Sequence, residues 1–141
     1  MIEFIDTEGQ NYINPPLSQF IQAVEAGDQA EWEGYSGQAG IYWRSDKGDR
    51  RIIFTPGGAD SYLLEYWDDS DGLDYYFVSS GIGSPTNIRE VFVGGNPWAI
   101  PANLFIPKAD AIAVLSHFYI THERSDAIAW VKNSEVNWPE E

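Results

Sequence analysis

The stretch from Pro107 to Trp130 constrains this chain most. Pro107 suits a first helical turn, where its missing N–H is not needed and its φ is already helical. Asp110 follows near the positive end of the helix dipole. Ala111, Val114, Leu115 and Phe118 recur at i, i+3, i+4 and i+7, which draws one apolar stripe down a helix to about Thr121. His122 and Arg124 fall where a helix C-terminus favours cations. Ile128 to Val131 then reads as a short strand. A helix this apolar must be buried, and the remaining chain reads mostly as strands, so it must lie on a sheet.

The rest supplies that sheet. Ile2 and Phe4 alternate with Glu3 as a first strand. Asn14-Pro15-Pro16 opens a helix to Ala26, with Asn14 as its cap, Leu17, Phe20, Ile21 and Val24 as its stripe, and Gly27 ending it at a position that favours φ > 0. Asp28 to Gly40 is acidic and glycine-rich, and fits neither period. Residues 41–44 and 51–55 flank a turn-rich connection, as a hairpin does. Residues 61–67 and 74–79 form a second pair joined through Asp71-Gly72, a strong hairpin signal. Ile88 to Val93 makes one more strand, broken by Gly94-Gly95-Asn96-Pro97. The expected class is α+β: a single domain over residues 1–141, mainly an antiparallel sheet of about five or six strands with two packed helices. No linker or internal repeat divides the 141 residues.

The strand at 61–67 is apolar on both faces, with Tyr62, Leu64 and Tyr66 alternating with Leu63, Glu65 and Trp67. A sheet with one wet face alternates apolar with polar. Either both faces are covered, or one presents aromatics to a partner.

Charge narrows the function. Twenty-two Asp and Glu against eight Lys and Arg give a net charge of −14. Such a protein repels nucleic acids and anionic membranes and attracts a basic partner. Acidic charge also serves solubility alone, so its placement matters. The 21 aromatic residues, six Trp, eight Tyr and seven Phe, exclude a disordered chain. No cysteine is present, so thiolate chemistry is out and a reducing, cytoplasmic setting is permitted. No apolar run reaches the roughly 20 residues of a membrane span.

Catalytic motifs are weak. No Ser sits in a Gly-x-Ser-x-Gly elbow. His117 and His122 are five apart and do not share a helix face as a metal pair at i, i+4 would. Asp68-Asp69-Ser70-Asp71-Gly72 resembles a calcium loop, but Trp67 and Val78 occupy positions where acids are required. No cofactor, metal or catalytic residue is expected, and the chain is read as a non-enzyme.

The acids are nonetheless clustered. Asp60, Glu65, Asp68, Asp69, Asp71 and Asp74 lie in fifteen residues without Lys or Arg, interleaved with Tyr62, Tyr66, Trp67, Tyr75 and Tyr76. Aromatic anchors ringed by charge are what a tight protein interface uses. The expected partner surface is therefore the hairpin tip, Asp68, Asp69, Asp71 and Asp74, with Trp67, Tyr75 and Tyr76 as anchors beside it and Trp98 as a further one. Reversing Asp68, Asp69 and Asp71 to Lys should leave the fold intact, because exposed turn charges contribute little to stability. The acidic segment Asp28 to Tyr35 is the next candidate. An alternative is a small carbohydrate-active enzyme or sugar-binding module built on surface carboxylates and aromatics, since many acids allow a facing pair.

Asn96-Pro97-Trp98-Ala99-Ile100-Pro101, Leu104-Phe105-Ile106-Pro107, the Ala-rich helix through Phe118 and Ile128-Ala129-Trp130 together resemble the C-terminal half of immunity protein family one, found beside deaminase toxins in bacterial polymorphic toxin systems. The likeness spans roughly Ser61 to Val131. The family's Thr-Gly and later Pro between helix and last strand are replaced by His122-Glu123 and Ser125-Asp126. The resemblance implies a small α+β inhibitor that binds and silences a cognate toxin, and it carries over no catalytic residues. A nucleic-acid deaminase needs a basic approach surface, which a chain of charge −14 can occupy.

Overall fold

A computed structural model describes residues 1–58, 60–70, 75–81 and 84–139. The elements run β1 (Ile2–Ile5), β2 (Asn11–Ile13), α1 (Leu17–Glu25), α2 (Gln29–Glu33), β3 (Ala39–Ser45), β4 (Gly48–Pro56), β5 (Ser61–Asp68), β6 (Tyr75–Ser80), β7 (Ile88–Val93), β8 (Asn96–Pro101), β9 (Ile106–Pro107), α3 (Lys108–Thr121) and β10 (Ala129–Lys132). Eight strands form an antiparallel sheet in the order β10-β6-β5-β4-β3-β1-β2, with β9 added on β5, and β7 and β8 make a separate hairpin. The fold is α+β, as the sequence predicts, but with more strands than the expected five or six.

The extra strands are those with little signal. β2 is three residues long and mostly exposed, and only Tyr12 packs, stacking on Phe4 with ring centroids 5.7 Å apart. β8 holds two prolines and reads as a breaker, yet it pairs with β7 in full register. Proline is tolerated there because a two-stranded ribbon leaves outer N–H groups unpaired anyway. Gly94 and Gly95 have φ of +60° and +81°, the pair of positive values that a tight hairpin turn requires. They join the two strands rather than ending one.

The helical stripe lands as expected. Ala111, Val114, Leu115 and Phe118 of α3 are fully buried. Phe118 meets Tyr66 of β5 edge-on at 6.4 Å. α1 lies beside α3, with Phe20 stacked on Tyr119 at 6.2 Å, and both helices cover one face of the sheet, over Phe4, Ile41, Ile52, Phe54, Tyr62 and Leu64. Two local expectations fail. Asn14 does not cap α1; it has φ +46° and its Oδ1 accepts from Ile2 N at 2.9 Å, tying β2 to β1. Gly27 has no positive φ. It is small because a Cβ there would lie 1.6 Å from the Tyr62 hydroxyl, which donates to Val24 O at 2.6 Å.

The sheet's other face is covered by a second, smaller core: Leu63 and Val78 packed under Val91, Ile100, Leu104 and Phe105. The two-sided apolarity of β5 therefore means two-sided cover, helices on one side and the β7–β8 hairpin on the other. That hairpin covers only part of its face.

Candidate functional site

The uncovered part carries a row of side chains in register across five strands: Glu3, Tyr42, Arg51, Trp67 and Tyr76. Arg51 lies over the Trp67 ring at 4.6 Å, and Trp67 stacks on Tyr76 at 4.1 Å, 19° from parallel. Trp67 is thus clamped between a guanidinium and a phenol, and neither of its faces is free to act as an anchor. The Tyr76 hydroxyl donates to Glu65. Burial pushes the Glu65 carboxyl up to about 7, against the opposing pull of the Tyr76 hydrogen bond and the Arg51 charge.

The hairpin tip is equally occupied. Asp68 is 9% exposed. Its Oδ1 accepts from Ser70 N at 2.9 Å and from Ser70 Oγ at 2.5 Å, its Oδ2 lies 3.3 Å from Arg50 Nε, and the Tyr66 hydroxyl approaches Oδ2 at 3.4 Å. The Arg50 contact is ionic rather than a well-aligned hydrogen bond, since Arg50 Nε is buried without a hydrogen-bond partner. Asp68 is therefore not a projecting turn charge, because the pleat that carries Tyr66 inward carries Asp68 to the same side. Asp69 is exposed, but its Oδ1 accepts from Asp49 N at 2.5 Å and so ties the two hairpin turns together. Asp71 and Asp74 lie outside the described residues. Around this end stand Arg44, Lys47, Arg50 and Arg51, half of all the chain's Lys and Arg, and Arg44 bonds both Glu3 and Asp49. Among the described residues the tip is a cross-braced corner, with Asp68 paired to Arg50 and Arg44 to Glu3 and Asp49. Tyr75, 46% exposed, remains available there, whereas Trp98 is half-buried against Trp138 at 5.4 Å.

His122 also departs from expectation. It takes the left-handed conformation just after α3 and stacks on Trp43 at 4.9 Å. Burial, then the chain's N-terminal charge and Arg50, lower its pKa, so it serves as a neutral ring rather than a cation on the helix dipole. His117 is exposed.

Unpaired negative charge collects elsewhere, where α2 meets β7. Asp28 caps α2 by accepting from Glu31 N at 3.0 Å. Glu33 Oε1 accepts from Phe92 N at 3.2 Å, and Gln29 donates to Glu90 O at 3.2 Å, which locks the helix to the hairpin edge. Gly37 fits against Phe92 O, where a Cβ would come within 2.1 Å. Tyr35 and Phe92 stand out at 53% and 40% exposure. The Tyr35 hydroxyl leans on Glu8, whose carboxylate raises its pKa, with Glu31 adding to the effect. Glu8, Asp28, Glu31, Glu33 and Glu90 have no Lys or Arg within ion-pair distance among the described residues. A sequence signal for this patch exists: residues 1–43 contain no Lys, Arg or His. Phe92 and Glu90 carry no such signal, since only the β7–β8 hairpin's docking on α2 brings them in.

Set against known families and curated proteins, the chain matches none. Among the described residues no helix is long and apolar enough to cross a membrane, and no group of three His, Cys, Asp or Glu side chains is placed to hold a metal ion.

Proposed function

We propose that the protein is a non-enzymatic immunity protein, which binds a basic toxin domain of the nucleic-acid deaminase kind and neutralises it in the cytoplasm. The observation that carries the reading is the α2–β7 patch: five carboxylates without an ion pair among the described residues, two of them hydrogen-bonded to backbone N–H groups, near two exposed aromatic rings. Aromatics supply buried contact area, and surrounding charge of one sign speeds encounter with a surface of the opposite sign. The patch is preferred to the hairpin tip because Asp68 is buried and paired with Arg50 and the tip's end is ringed by cations, whereas no cation pairs with the patch's acids among the described residues. The carbohydrate alternative, built on surface carboxylates and aromatics, gets no support from Trp67, whose ring lies between Arg51 and Tyr76.

The test uses a cognate toxin domain, sought first in the gene immediately upstream. Glu31→Lys combined with Glu90→Lys should slow association by roughly tenfold at low salt and flatten its salt dependence, since steering is screened over about 8–10 Å. Phe92→Ala should instead speed dissociation, by on the order of 2 kcal/mol if it is a hot spot. Wild-type association of the double Lys variant would move the surface elsewhere. Reproducible turnover by the isolated protein, lost on changing one carboxylate, would overturn the inhibitor reading itself.

A further inference from the structure

The sheet splits at one place. One edge of β5 is shared between two strands: β9 pairs with Ser61 and Tyr62, and β6 pairs with Glu65 to Asp68. Leu63 and Leu64 fall between them. Leu64 N finds no strand carbonyl and donates to Ser79 Oγ at 3.0 Å instead, while Ser79 Oγ donates to Leu104 O at 2.7 Å. Beyond this serine the strands diverge. Gly81 N donates to Asn103 O at 2.6 Å, and Gly81 must be glycine, because a Cβ would meet Phe105 O at 2.2 Å. A crevice of about 550 Å³ opens between the β9–α3 corner and the end of β6 with the chain entering β10. That size is within the range of small-molecule sites. Gly81, Ala102, Ala127 and Ala129 keep it open, and Phe105, Ile106 and Ile128 make it apolar.

Two opposite charges line it. Arg89 reaches across from β7, with Nη1 donating to Ser61 Oγ at 2.9 Å and to Gly57 O at 3.2 Å, and its guanidinium lies 5.1 Å from the Phe105 ring centroid. Both hydrogen bonds use one nitrogen and go to neutral acceptors, so the fork keeps free N–H groups. Among the described residues no carboxylate pairs with it, in a chain holding 22 acids. Asp110, in the first turn of α3, is exposed at the same crevice and pairs with no cation among the described residues. The two do not reach each other.

We infer that this crevice binds a small zwitterion of the α-amino-acid class, its carboxylate on Arg89, its ammonium on Asp110 and an aliphatic side chain against Phe105, Ile106 and Ile128. A guanidinium fork matches a carboxylate in a planar, bidentate way, and stacking on Phe105 fixes the fork's plane in advance. A simple anion would be repelled by Asp110 and a simple cation by Arg89, so only a ligand carrying both charges uses the whole lining. The inference does not depend on the inhibitor reading.

The test is amide chemical-shift titration of the labelled protein with leucine, N-acetyl-leucine and leucinamide. Leucine should shift Ser61, Gly81, Arg89 and Ala129 and saturate with a dissociation constant on the order of 1 mM. The two singly charged analogues should bind at least ~10-fold more weakly. Asp110→Asn is exposed and keeps the fold, so it should reverse the order, with N-acetyl-leucine binding better than leucine. Arg89→Lys should keep weak leucine binding, and Arg89→Met should lose it while the spectrum stays dispersed. No shifts in the crevice up to about 20 mM leucine, equal binding of all three probes, or an unchanged order in Asp110→Asn would each overturn the proposal.

Discussion

Replacing Asp68 by Lys tests whether the hairpin corner is a braced part of the fold. The carboxylate is 9% exposed and holds three groups at once: Ser70 N, Ser70 Oγ and the Arg50 guanidinium. A lysine removes the acceptor and puts a second cation about where the first has its partner. Breaking a buried pair by removing one member costs about 3–5 kcal/mol, because the other charge is left uncompensated. Arg50 also packs on Trp43, at 5.3 Å, and donates to His122 O at 3.1 Å, so its displacement loosens the end of α3. At about 3 °C per kcal/mol for a domain near this size, the melting temperature should fall by roughly 10–15 °C. The assay is urea and thermal unfolding followed by circular dichroism, with Asp46→Lys as the control. Asp46 is an exposed turn acid with no ion pair among the described residues, and its change should stay within about 0.5 kcal/mol. Asp68→Asn should fall between the two, keeping an acceptor and losing the charge. Equal midpoints for Asp68→Lys and Asp46→Lys would refute the account and restore Asp68 as a free surface charge.

Phe118→Ala should destabilise by roughly 3–5 kcal/mol, read as a lower urea midpoint, since the ring is fully buried between α3 and Tyr66. Gly27→Ala should cost about 1–3 kcal/mol from overpacking on Tyr62, and adding Tyr62→Phe should return part of it by removing the hydroxyl that the Cβ strikes first. The folded-state pKa of Glu65, about 7, lies above its ordinary 4.5, so between those values the folded protein binds more protons than the unfolded chain. Its contribution to stability is therefore full below about pH 4.5, falls as pH rises and is lost above about 7, by about 3 kcal/mol in all. Glu65→Gln keeps an acceptor for Tyr76 and should be more stable than wild type at pH 8, with the advantage shrinking towards pH 5; a constant difference across that range would refute it.

The periodic parts of the chain were legible in advance. The Ala111–Phe118 stripe fixed α3 and its buried side, and alternation with turn residues fixed the central hairpins, because period and burial are both local properties of sequence. The two-sided apolarity of β5 announced two-sided cover without saying what the second cover was. β2 and β8 were hidden because their own residues carry little strand signal, three mostly exposed residues in one and two prolines in the other, although each pairs with the strand next to it in the chain. Gly27 shows another limit: its smallness answers a hydroxyl 35 positions away, which no local pattern records.

For the candidate surface, the sequence determined the sign and amount of charge, and only the tertiary structure decided which charges are available. Asp68 and Glu31 look alike as acids beside aromatic residues. Antiparallel pairing sets Asp68 against Arg50 and turns it inward, whereas α2 leaves Glu31 in solvent among other carboxylates. An ion pair between strands is a matter of register, and register is set by hydrogen bonding and core packing across the whole sheet. Composition set the net charge of −14; the pleat and the docking of the β7–β8 hairpin on α2 decided where carboxylates without ion pairs gather.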